Sequence, residues 1–152
     1  MGKWGRNGTA ASARVLLALY LAALAFVAFW PTPVDRPAAG RLQAALFALH
    51  RVGLPDLVNY SFVEFASNIL LFAPIGILAA LAFPQFHRGR IVLTAFLASC
   101  AMELGQKLFL HDRFPSAMDI VANTAGAMLG LWALGAVEEW IREGSLDRVR
   151  RR

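Results

Sequence analysis

Cysteine is nearly absent: Cys100 is the single thiol in 152 residues. One cysteine excludes an intramolecular disulfide and any multi-cysteine metal site. Its place inside an apolar block reads as a small packing residue. Charge is scarce too, at 16% of residues against roughly 25% in an average soluble domain. Apolar residues make up 58%. Together these figures exclude disorder, a coiled coil and a nucleic-acid-binding module, despite a formal charge of +5, and they argue against a soluble enzyme. The three histidines, His50, His87 and His111, have no i,i+4 partner of a metal-binding kind. H-E-x-x-H, P-loop and G-x-S-x-G patterns are missing. The chain therefore carries no recognisable cofactor or metal motif, and no catalytic nucleophile stands out.

What the chain does have is long apolar runs. Four of them, at 15–30, 62–83, 91–110 and 117–137, approach or exceed the roughly 20 residues that a transmembrane helix needs. Backbone at membrane depth must satisfy its own hydrogen bonds, so each run is read as a helix. The expected fold is all-α: a polytopic membrane protein with a four-transmembrane-helix bundle at 15–137. A basic start (1–14) precedes it, and a charged, solvated, helical tail (138–152) follows. The first run ends in Phe29-Trp30-Pro31 rather than in a small-x-small site, which favours an uncleaved signal anchor.

Basic residues set the expected orientation. With the N-terminus cytoplasmic, the inner side holds Lys3, Arg6, Arg14, Arg88, Arg90, Arg142, Arg148, Arg150, Arg151 and Arg152. The outer side holds Arg36, Arg41, Arg51, Lys107 and Arg113. Ten against five places both termini in the cytoplasm. Trp4, Trp30, Tyr60 and Trp140 fall near the expected interfaces. The one sizeable loop opens with Pro31, Pro33 and Pro37, and then sets Leu42, Ala45, Leu46 and Leu49 on one helical face. This is a short helix that either lies in the outer interface or caps the bundle. The arginines of the tail suit a weak contact with anionic lipid.

Ionisable and amide side chains inside spans are costly, so each is a functional candidate by default. The second span carries Glu64, Ser67 and Asn68; the third Ser99, Glu103, Gln106 and Lys107; the fourth Asp119, Asn123 and Thr124. The first has nothing comparable but Tyr20. With the orientation above, three helices place these groups at one level near the outer surface. Asp119, Asn123, Gly126 and Gly130 form one helical stripe, whose glycines permit close helix approach. Pro74, followed by Gly76, removes a backbone donor within the second span and crowds the carbonyl of Leu70. A cation held by Glu103, Asp119 and Asn123 is one reading of the polar level. A hydrogen-bonded network with Lys107 or Arg113 as counter-charge is the simpler one.

The run Asn68-x-x-x-Phe72-x-Pro74-x-Gly76, then Glu103-x-x-Gln106, then Arg113 and Asp119-x-x-x-Asn123-x-x-Gly126-x-x-x-Gly130 resembles the VanZ-like family of bacterial membrane proteins. The resemblance covers about 61–134. It implies a bacterial inner-membrane helical bundle, from a family whose founding member is associated with low-level resistance to the glycopeptide teicoplanin. It also carries the family's polar positions over to Asn68, Glu103, Gln106, Arg113, Asp119 and Asn123. Two functions compete. One is engagement of a lipid-linked or peptidoglycan-related envelope component, or a glycopeptide-related ligand, at the outward polar level. The other is a non-enzymatic membrane scaffold or accessory subunit whose polar level only holds the helices together. A monomeric channel fits poorly, because the inner halves of the spans are almost wholly apolar.

Overall fold

A computed structural model describes the backbone of residues 3–30, 36–110 and 116–150, and the side chains within 8–30, 40–110 and 116–144. The described residues form five helices: α1 (Lys3–Ala28), α2 (Arg36–His50), α3 (Tyr60–Ala82), α4 (Arg88–Phe109) and α5 (Ala117–Arg150). Four are long and apolar enough to cross a membrane, over Gly8–Ala28, Tyr60–Ala82, Arg88–Phe109 and Ala117–Gly144. The expected four-span, all-helical architecture is therefore observed.

Two boundaries lie beyond the apolar runs. Helix α1 starts at Lys3 rather than near 15, and Ala10 and Ala13 before Arg14 are buried. A charged residue ends a hydropathy run without ending a helix. Here the Arg14 Nε donates to the carbonyl of Ala82 at 3.0 Å, and its guanidinium lies 5.5 Å from the centre of the Phe83 ring. Helix α5 runs through the charged tail to Arg150. Its 34 residues measure about 51 Å at 1.5 Å per residue, well over a hydrocarbon core of about 30 Å.

The ends of the helices are capped by side chains in the way lone helix termini require. Asn59 accepts from the Phe62 amide at 3.0 Å at the start of α3. The His87 Nδ1 accepts from the Gly89 amide at 3.1 Å at the start of α4. Helix α2 meets α3 along a narrow edge. Its covered stripe is Leu42, Leu46 and His50, with Leu46 buried, whereas Ala45 and Leu49 of the expected face are exposed. The turn after α2 needs a left-handed residue, supplied by Gly53 at φ 106°. The His50 imidazole then donates to the Val58 carbonyl at 3.2 Å, fixing the entry to α3.

Helix α1 packs antiparallel on α3 through a core of Ala13, Leu17, Phe72, Ile75 and Ala82, flanked by Tyr20, Leu24, Leu78 and Met102. The most extensive contact is between α3 and α5, which run in the same direction. It is made by glycine. A Cβ added to Gly126 would fall on the carbonyl oxygen of Ile69, one on Gly130 would fall on that of Ala73, and one on Gly76 would fall on that of Ala127. Lipid provides no hydrophobic drive between helices, so close backbone approach is what joins them. The apolar side chains left exposed, such as Val15, Leu19 and Phe26 on α1, are those a bilayer would cover.

Because the opposing atoms at Gly130 are backbone, they cannot swing aside. Gly130→Ala is expected to destabilise the bundle by about 1–3 kcal/mol, the usual cost of overpacking. Gly8→Ala, where an added Cβ meets nothing within 4 Å, is expected to be neutral or to stabilise by about 0.5–1 kcal/mol. Thermal unfolding of the two variants in one detergent checks both signs.

Candidate functional site

The polar residues of α3, α4 and α5 gather at the end of the bundle where α1 finishes and α5 begins. Nearest that end, the Gln106 Nε2 donates to the carbonyl of Ala28 at 2.9 Å in a buried bond. Ala28 is the last residue of α1, so Gln106 satisfies an orphan helix carbonyl. The neighbouring Gly105 leaves room for the Phe29 ring, which would lie 2.9 Å from an added Cβ. On the same side of α4, the Glu103 Oε2 accepts from the Ser116 amide at 2.9 Å. Ser116 in turn accepts from the Met118 amide at 3.2 Å. Glu103 is 5% exposed. It therefore sets a buried carboxylate against the positive end of α5.

The next level joins side chains to each other. The Asn68 Nδ2 donates to the Asp119 Oδ1 at 3.0 Å, and both residues are half-buried. One turn further along α5, the Asn123 Nδ2 donates to the Ser99 Oγ at 2.8 Å. Asn123 is 1% exposed and Ser99 0%. The Asn123 Oδ1 has no hydrogen-bond partner, and an unpaired buried amide oxygen is a costly feature that calls for an explanation.

Four of the six polar candidates thus join the network through α5 or its N-terminal edge, and Gln106 stands beside them at the end of α1. Their directions differ from the single stripe read in the sequence. Asp119 reaches α3 and Asn123 reaches α4, while Gly126 and Gly130 abut α3. Helix α5 is a wedge between two neighbours. Arg113 lies outside the described residues. Lys107, the other counter-charge considered, is exposed, as are Glu64 and Ser67. Thr124 donates to the carbonyl of Ile120 at 2.7 Å within its own helix. Among the described residues, no three His, Cys, Asp or Glu side chains group as a metal site.

Two polar contacts were not foreseen from the sequence. Pro74 sits inside α3 and deprives the Leu70 carbonyl of its donor. The Tyr20 hydroxyl, facing α3 from α1, donates at 2.8 Å to the next carbonyl along, that of Leu71. A tyrosine alone in an apolar span, paired with a proline in another, was the available signal. The second is Arg14, read only as an orientation charge, which caps α3 at Ala82.

The profile of the VanZ/LLP1 family matches residues 17–138, which include every residue of this network. The chain belongs to the VanZ/LLP1 family. A curated relative, Protein VanZ of Enterococcus faecium, is 28% identical over 141 residues, covering 90% of this chain and 81% of that protein. No solved structure matches. This VanZ/LLP1 chain is a multi-pass membrane protein by its four spanning helices.

The cap at Ser116 separates shape from charge. Glu103→Ala leaves the half-buried Ser116 amide without this acceptor and is expected to cost about 1–3 kcal/mol. Glu103→Gln keeps an acceptor oxygen and is expected to retain most of that stability. Tyr20→Phe is expected to cost about 0.6 kcal/mol, typical of one polar contact inside a membrane. Unfolding of the purified chain in detergent ranks the three.

Proposed function

We propose that this VanZ/LLP1 protein engages a lipid-linked or peptidoglycan-related component of the cell envelope at the polar end of its bundle, with that end facing away from the cytoplasm of a bacterial inner membrane. The observation that carries the reading is the gradient of burial across the network. Its rim, Asn68 and Asp119, is half-buried, and its base holds an unpartnered amide oxygen on Asn123. Oxygen acceptors at two depths suit a ligand that presents hydroxyl or amide donors, while its apolar tail stays in the surrounding bilayer. Arg113, which the sequence places just before this rim, suits a phosphate through charge-assisted hydrogen bonds. The association of the family's founding member with teicoplanin resistance supports glycopeptide susceptibility as the phenotype to read.

Orientation comes first. Reporter fusions at Gly40 and Pro115 are expected to read as extracytoplasmic, and a cytoplasmic signal at either position removes the reading. The site is then tested with Glu103→Gln and Asp119→Asn together. Both amides keep an acceptor oxygen for the Ser116 and Asn68 donors, so the folded level in membranes is expected to stay near wild type. Any teicoplanin protection conferred on a susceptible host is expected to fall to the level of empty vector.

A second reading, a non-enzymatic scaffold or accessory subunit, is favoured by a specific observation: Gln106 and Glu103 both bond to backbone at the ends of helices. Under it, the double amide variant keeps full protection at equal protein level. Only truncation to alanine lowers protection, in proportion to lost protein.

A further inference from the structure

At the opposite end of the bundle, α4 begins against the side of α5. A groove of about 610 Å³ opens there, within the roughly 300–1,000 Å³ range of small-molecule sites. Gly135 and Ala136 line it. Two guanidiniums, Arg88 and Arg142, and two carboxylates, Glu138 and Glu139, line it, and Trp132 forms an apolar wall. A Cβ on Gly135 would lie 2.8 Å from the Arg88 Nη1. The guanidinium therefore lies across bare backbone, and the lack of a side chain at 135 makes its seat.

We propose that this groove seats the zwitterionic headgroup of phosphatidylethanolamine from the adjoining leaflet. Depth is the first argument. Arg88 is the first residue of α4, and Glu138, Glu139 and Arg142 stand where the apolar part of α5 gives way to charge, which is headgroup level. Trp132 lies six residues back along α5, about 9 Å toward the bilayer centre. It is 69% exposed, placed to line the glycerol and the first methylenes as interfacial aromatics do. That apolar wall favours a lipid over a free phosphoester.

Charge is the second argument. Two positive and two negative groups cancel, so a purely anionic headgroup gains no net attraction. A phosphate beside a primary ammonium complements both pairs. The phosphate accepts from guanidinium forks, and the ammonium gives three hydrogen bonds to carboxylates. A quaternary choline has no such donors. The pair of Arg88 and Glu138 is easily opened. Arg88 and Glu138 are 3.6 Å apart with side chains 57% and 60% exposed, longer than a charge-assisted bond of about 2.7–2.9 Å and of the exposed kind that contributes little.

The test uses the full chain in mild detergent with equimolar dioleoyl phosphatidylethanolamine, phosphatidylcholine and phosphatidylglycerol, read by native mass spectrometry. Phosphatidylethanolamine is expected to be retained over phosphatidylcholine by roughly five- to tenfold, about the worth of one or two exposed charge-assisted bonds. Glu138→Gln with Glu139→Gln is expected to erase that preference and raise phosphatidylglycerol to the top. Arg88→Gln is expected to lower retention of all three lipids. Equal retention of the ethanolamine and choline lipids by the wild type overturns the proposal. So does phosphatidylglycerol ranking first in the wild type, or a ranking that neither variant changes. The wild-type ranking decides alone if a variant fails to fold.

Discussion

The bare-backbone contact between α3 and α5 is the constraint on which the rest of the bundle hangs. In lipid, two apolar helices gain nothing by hiding from water, and dispersion falls off steeply with distance. Helices lined with leucine would pack no better on each other than on acyl chains. Gly76, Gly126 and Gly130 let carbonyl oxygens of the opposite helix occupy the space a Cβ would take. Contact that tight also fixes register. With Ala73 seated on Gly130, Asn68 stands opposite Asp119, and the other flank of α5 presents Asn123 to Ser99 on α4. The polar network is therefore a product of the glycine contact, not an independent glue.

Two kinds of contact recur among the polar side chains inside the spans. Arg14, Gln106 and Glu103 each bond to backbone at a helix end: the last carbonyl of α3, the last carbonyl of α1, and the amide just before α5. Hydrocarbon does not hydrate those groups, so the side chains stand in for water. The Asn68–Asp119 and Ser99–Asn123 pairs join side chain to side chain. They are the portion of the network that helix ends do not account for, and the orphan oxygen of Asn123 belongs to this portion.

The four spans were legible because a run of apolar residues as long as a bilayer is thick has few other uses. Gly126 and Gly130 were legible as a packing stripe because their spacing repeats the helix. The level of the polar groups followed from counting along oriented spans. What could not be read was direction around the helix axis. Asp119 and Asn123 are i,i+4 neighbours and share a stripe, yet a wedge between two partners lets one turn reach α3 and the next reach α4. The start of α1 was also hidden. Arg14 breaks the apolar pattern while extending the helix, because its charge is used on the end of α3 and on the Phe83 ring. Tyr20 escaped for a related reason. Its partner is the backbone carbonyl of Leu71 in another helix, and a one-dimensional pattern does not contain that pairing.

Helices α3 and α5 run in the same direction, so the chain must cross the bilayer once more, through α4, before they can meet. The tightest interface in the molecule thus joins segments that leave the ribosome a full crossing apart. Until α5 is delivered, the α3 carbonyls of Ile69 and Ala73 and the cleft beside Gly76 face lipid with no partner of the right shape. This contact can therefore close only after α5 has been delivered. A nascent chain interrupted in α5 would carry three inserted spans and an open seam, which is the kind of surface by which membrane quality control tells unfinished proteins from finished ones.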